Sequence, residues 1–234
     1  MPNQPDRRQV LIATAAALTA AAIVDDPNAA QAASKAKPMT YNVKPMSFDP
    51  NAIKGMSAKL LTSHYDNNYT GAVKRLNAIE GQLESLDWPT APNFTINGLK
   101  REELIAMNSM NLHELYFAGL GTGGDPGGAL AQAIERDFGS LARWRNEFAA
   151  MGKAMGGGSG WVLLCYMPRD NRLMNTWAMD HTVAPANARP LLALDMYEHA
   201  YHMDYGANAG AYVDAYMAAI DWRNASALYA QAAA

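Results

Sequence analysis

Residues 192–205 read LALDMYEHAYHMDY, a stretch that sets Asp195, Glu198, His199 and His202 among apolar side chains. Burying an unpaired charge costs several kcal/mol, so charged groups in such a setting need something to hold them. Asp195 and His199 are four residues apart, a spacing that lets a strand end and the following helical turn present both groups to one side. Three other histidines occur, His64, His113 and His181. Each one alone reads as readily as a core or surface histidine as it does a ligand. Taken together, three imidazoles (His64, His113, His199) and one carboxylate (Asp195) suit a first-row transition metal such as iron or manganese, with room for solvent. The absence of thiolate donors argues against a structural zinc site.

These donors have to be carried by defined elements. Ser57 to Leu83 places Leu61, Tyr65, Ala72, Leu76, Ile79 and Leu83 at helical spacing, with Ser57 as N-cap and Asn68 interrupting the series. A second helix is expected from about Leu99 to Leu120, after the proline-containing loop DWPTAPNFTING, with Ile105, Ser109, Leu112, His113, Tyr116 and Leu120 on one stripe. His64 and His113 lie on or beside these two stripes, so an antiparallel helix pair could point both at one spot. Residues 34–50, rich in proline and without period, read as an extended tail lying on the body. GTGGDPGG at 121–128 is the clearest break. It lacks the G-K-[ST] ending and the preceding strand of a phosphate cradle and reads as a linker between two lobes. Helical text follows over 129–152, then two short β-rich runs around "RD" that read as a hairpin, a third strand RPLLALD, and closing helical text.

The chain has 234 residues, half of them hydrophobic, enough for one ordinary core, and its formal charge is −3. That balance gives no attraction for a polyanion, so nucleic acid is not an expected partner. Residues 1–32 differ in kind from the rest. Arg7 and Arg8 precede an apolar run from Val10 to Val24 and a small-residue A-x-A at Ala30 and Ala32, the three-part anatomy of an export signal, here of twin-arginine type. The run is short of the roughly 20 residues that span a bilayer. The expectation is therefore a periplasmic or otherwise exported protein with no stable membrane insertion after cleavage, an uncleaved anchor being the alternative. Cys165 is the sole cysteine, so no disulfide can form within the chain and stability must come from the core or from a metal.

DMYEHAY resembles the D-x-W-E-H-A-[YF] signature of iron and manganese superoxide dismutases. SFDPNAIKGMSAKLLTSHYDNNYTGAVKRLN is similar to that family's N-terminal tail and first helix, NLHELYFAGL to its second-helix motif, and GGDPGGALAQAIERDFGS and GSGW to further landmarks in order; together they cover residues 43–225. The resemblance implies an α+β fold in which an N-terminal antiparallel helical hairpin (33–122) is followed by an α/β lobe (123–234) with a three-stranded antiparallel sheet. One iron ion per subunit, or manganese, would lie between the lobes on His64, His113, Asp195 and His199. The implied reaction converts superoxide to dioxygen and hydrogen peroxide. His181 is implied as the hydrogen-bond partner of solvent on the metal, with Met179 competing for that place, and Glu198 as a bridge across a homodimer.

Four positions depart from the family pattern near the substrate channel. Asn68 stands for a histidine, Ala72 for the gate tyrosine, Tyr197 for the signature tryptophan, and His202 for the tyrosine after EHAY. Asn68 and His202 can still hydrogen-bond across an interface. The alternative to an enzyme is a non-catalytic metal-binding envelope protein that kept the fold. A metal-dependent hydrolase would lack a general base beside the site.

Overall fold

A computed structural model describes residues 39–234. The export-signal segment 1–32 and the start of the tail lie outside the described residues. The described residues make one compact unit.

Residues 39–49 carry no regular structure and lie on the first helices as an extended strap. Tyr41 N–H donates to Asn77 Oδ1 (2.8 Å) while Asn77 Nδ2 donates back to Tyr41 O (2.9 Å). Lys44 N–H donates to the Tyr69 hydroxyl (2.7 Å), and the Tyr65 hydroxyl donates to Lys44 O (2.7 Å). Helix α1 (Ala58–Ser63) is capped by Ser57, whose Oγ accepts from Leu60 N–H at 3.1 Å. It runs into a π-helical turn, His64–Tyr69, and on into α2 (Thr70–Ser85). A π turn inserts one extra residue into the helical repeat. Buried Tyr69 therefore takes the inward place that strict helical spacing gives to Asn68, which is half-buried.

Helix α3 (Asn93–Ala118) starts six residues before the expected Leu99. Its first turns are solvent-exposed, Phe94 by 79 %, so they have no inward stripe to betray them. Farther along, Ala106 and Met110 are the fully buried residues, where the sequence pattern put Ile105 and Ser109. The hairpin is antiparallel: His64 packs on Phe117, the Tyr69 hydroxyl donates to Glu114 (3.0 Å), and Arg75 pairs with Glu102.

The glycine-rich segment after α3 follows a helix, not a strand, and is tied in place. Leu120 and Ile220 form a β-bridge, and Gly124 O accepts from Arg145 Nη2 (2.8 Å) and Trp222 Nε1 (3.1 Å). The helical text beyond it divides into α4 (Gly128–Phe138) and α5 (Leu141–Ala154). Gly139, at φ +84°, ends the first, and Ser140 caps the second by accepting from Arg143 N–H at 3.1 Å.

Strands β1 (Trp161–Met167), β2 (Arg172–Ala178) and β3 (Arg189–Asp195) form an antiparallel sheet of order β2-β1-β3. β1 is central and buried on both faces, which explains its unbroken apolar text WVLLCY. Cys165 sits there fully buried, and burial pushes its thiol up to about 12, so it is inert as a nucleophile. Trp161, at the start of β1, pairs with both Ala178 and Asp195, so the ends of all three strands meet at one corner. α3 packs on β3 and carries the hairpin to that corner. A short helix α6 (His202–Tyr205), then α7 (Ala209–Ala219) and α8 (Trp222–Ala232), close the chain. Tyr216 on α7 donates to Ala193 O of β3 at 2.8 Å. Among the described residues no helix is long and apolar enough to cross a membrane.

Candidate metal centre

The four residues expected to bind metal come together at the corner where the hairpin meets the sheet. His64 opens the π turn, His113 lies in the last turns of α3, Asp195 ends β3, and His199 stands in the single 3-10 turn Glu198–Ala200 that follows. Their donor atoms all lie within 4.8 Å of one another. Asp195 Oδ2 is the point of convergence, 3.1 Å from His64 Nε2, 3.1 Å from His199 Nε2 and 3.5 Å from His113 Nε2. His64, His113 and Asp195 are buried, while the His199 side chain is 27 % exposed.

Neighbours fix which atom of two of these groups, His113 and Asp195, faces the centre. His113 Nδ1 lies 2.7 Å from Ser109 O, so this nitrogen carries the hydrogen and Nε2 keeps its lone pair. Asp195 Oδ1 accepts from Tyr197 N–H at 2.8 Å, which leaves Oδ2 for the centre. Trp161 meets the His113 ring edge-on at 5.2 Å, and Tyr116 and Phe117 pack on His64 at 4.9 and 5.1 Å. This apolar wall keeps bulk water from the hairpin side.

The electrostatics suit a cation. Burial would push the Asp195 carboxyl up, but the charge of His199 and hydrogen bonds from His199 and His64 outweigh it and hold the group well below the usual carboxylate range. Burial lowers His64 despite the opposing Asp195, and burial plus the neighbouring His64 bring His113 down to about 3. The centre thus sets an anionic carboxylate beside two imidazoles, His64 and His113, that resist protonation, with His113 Nε2 buried and unpartnered among the described residues. A divalent or trivalent first-row ion satisfies that arrangement, and the oxygen and nitrogen donors fit iron or manganese.

The lowered pKa values carry a sign for stability. His113 and His64 take up protons more readily when unfolded, at about pH 6.5, than when folded. The metal-free protein is therefore expected to be most stable above that pH. It should lose stability as pH falls from about 6.5 toward the folded value, both histidines acting in the same direction. Urea titrations of metal-free protein at pH 7.5, 6 and 5 check this; an unfolding midpoint that does not fall on acidification would contradict it.

His181 stands beside the cluster in the loop after β2, and its Nδ1 is 2.9 Å from the Tyr197 hydroxyl. Met179, the competing occupant, is 55 % exposed. Glu198 and His202 are exposed and Asn68 is half-buried; none of the three hydrogen-bonds to the cluster within the chain. Ala72 is buried in α2. The hydroxyls of Tyr65 and Tyr69, the tyrosines of the π turn, are engaged by Lys44 O and Glu114, so neither supplies a free phenol in place of the one absent at Ala72. Two positioning residues were not apparent from sequence. Ser109 acts through its carbonyl, which any residue four before His113 would offer, and Asn108 donates to His181 O at 2.6 Å.

A helical hairpin on an antiparallel three-stranded sheet, with three histidines and an aspartate converging between them, defines a mononuclear metal protein of the transition-metal type. The family model for the C-terminal domain of iron/manganese superoxide dismutases matches residues 126–228. An iron superoxide dismutase of Cupriavidus metallidurans is 63 % identical over 194 residues, covering 83 % of this chain and 98 % of that protein. A manganese superoxide dismutase of Halobacterium salinarum is 34 % identical over 197 residues, covering 82 % of this chain and 96 % of its own length. An iron superoxide dismutase of Pyrobaculum aerophilum is 30 % identical over 188 residues, covering 78 % and 88 %. The chain belongs to the iron/manganese superoxide dismutase family.

Proposed function

We propose that this protein is an exported superoxide dismutase that uses one iron ion per subunit, with manganese as the alternative, and works as a homodimer. The observation that carries the reading is the convergence of three imidazole Nε2 atoms on Asp195 Oδ2 in a buried pocket, in a chain 63 % identical to an iron superoxide dismutase. A bound iron or manganese ion would supply the one-electron couple for converting two superoxide ions and two protons into dioxygen and hydrogen peroxide.

The chain's own residues do the rest. Asp195 lowers the net charge of the centre, and the two imidazoles with depressed proton affinity stay available as ligands down to mildly acid pH. Trp161, Tyr116 and Phe117 exclude water from the hairpin side. Access is from the side of His199, the partly exposed ligand. With alanine at position 72, Tyr197 is a phenol beside the ligands on the side of His199, stacked on that ring at 5.4 Å and joined to His181.

Export is supported by the sequence of residues 7–32, and the dimer by the placement of Glu198 and His202. Both are exposed, yet they flank the buried pair Ala200 and Tyr201 next to a ligand histidine. Superoxide removal by purified protein, loaded separately with iron and with manganese, tests the function. A rate no greater than that of the free aqua ion would assign the chain to non-catalytic metal binding. Sizing of the same samples is expected to give a dimer, and a strict monomer would remove the bridging role of Glu198.

A further inference from the structure

Four buried side-chain nitrogens lack a partner among the described residues: His64 Nδ1, His113 Nε2, Trp161 Nε1 and His181 Nε2. The first two belong to ligand residues, and Trp161 packs on His113. The fourth is different, because the other nitrogen of its ring is held by a residue that this chain has in place of the family's tryptophan. The Tyr197 hydroxyl lies 2.9 Å from His181 Nδ1. Both rings are immobilised. His181 lies parallel to His113 at 6.3 Å and meets Trp161 edge-on at 5.7 Å, while Tyr197 stacks on His199 at 5.4 Å. The loop carrying His181 is pinned by Asn108 Nδ2, which donates to His181 O, and by Asp180 Oδ1, which accepts from Thr182 N–H and Oγ1–H at 2.6 Å each.

Counting hydrogens decides the direction of the contact. A phenol has one hydrogen to donate, and a neutral imidazole carries one N–H. The Tyr197 hydroxyl has no other acceptor among the described residues, because the backbone N–H of His181 that also faces it can only donate. Were Nδ1 the protonated nitrogen, the phenol hydrogen would have no acceptor and Nε2 would be a bare lone pair in a buried place. With the phenol donating to Nδ1, that contact is satisfied and the imidazole hydrogen resides on Nε2. We infer that Tyr197 is a positioning residue that holds His181 in its Nε2–H tautomer, so that His181 offers a hydrogen-bond donor to a small anion in the pocket beside His113.

The inference rests on the metal-centre reading above, and its test reads the tautomer independently of dismutation. In long-range 1H–15N correlation spectra of 15N-histidine-labelled, zinc-loaded protein, His181 is identified by its loss in His181→Gln. It is expected to show a pyridine-type Nδ1 and a pyrrole-type Nε2. Tyr197→Phe should abolish that preference and weaken azide binding to the Fe(III) protein roughly fivefold, the size of one hydrogen bond. A pyrrole-type Nδ1 in the wild-type protein overturns the inference, and so does a Phe variant that keeps both the wild-type spectrum and the azide affinity. The wild-type spectrum decides the matter without the variant, should Tyr197→Phe fail to fold. A protein that lacks dismutase activity but shows the Nε2–H form would count against the proposed function and leave this inference standing.

Discussion

Asp195→Ala is expected to abolish metal retention and, with it, superoxide removal above that of the free ion. Three imidazole Nε2 atoms lie 3.1 to 3.5 Å from Asp195 Oδ2, so the substitution removes both a ligand and the only anionic group of the cluster. Changes to residues that merely orient ligands cost about 10- to 100-fold in metal affinity, and loss of the ligand at the point of convergence should exceed the upper end of that range. Asp195→Asn separates charge from shape. The amide keeps the volume and one acceptor oxygen but no charge, and it is expected to fall close to the Ala variant. Metal content after dialysis against a chelator, together with activity per bound ion, measures both. An Asn variant with stoichiometric metal at wild-type affinity would show that the carboxylate charge is not what holds the ion.

Gly160→Ala should be nearly as damaging, although residue 160 donates nothing to the metal. Gly160 adopts φ +129°, a conformation that side chains rarely tolerate, and a Cβ there would overlap the Ala178 carbonyl oxygen and approach Met155 Cε to 2.6 Å. Its own carbonyl accepts from Met196 N–H at 2.9 Å. Relief of the overlap has to displace Ala178, which leads to His181, or Met196, which follows Asp195. The expected loss is at least about 3 kcal/mol, seen as a melting temperature lower by roughly 10 °C, with metal affinity falling in the same variant. A melting temperature within about 2 °C of wild type would mean that the strand corner is softer than its packing indicates.

The parts readable in sequence were those whose signal is local. β3 is a short apolar run ending in an acid, and Asp195 and His199 sit at a spacing that a strand end and one turn can bring together. The histidines of the hairpin followed from helical periodicity, which depends on the same burial that keeps them dry. The π turn was not readable, because a repeat widened by one residue looks in text like a polar interruption, Asn68, in an otherwise regular stripe. The first turns of α3 were missed because exposed residues carry no period. The pairing of Tyr197 with His181 joins residues 16 apart through the corner of a sheet, and nothing in either neighbourhood names the other.

The ligands come from positions 64, 113, 195 and 199, so no contiguous piece of the chain holds the centre. In a chain without disulfides an ion there is the sole cross-link between hairpin and sheet, closing loops of about 50 and 80 residues whose ends otherwise meet only at an entropic cost. Three of the four ligands are shut from solvent, so exchange of one ion for another is expected to be slow. The supply of ions where the chain folds is then expected to weigh on which metal it carries.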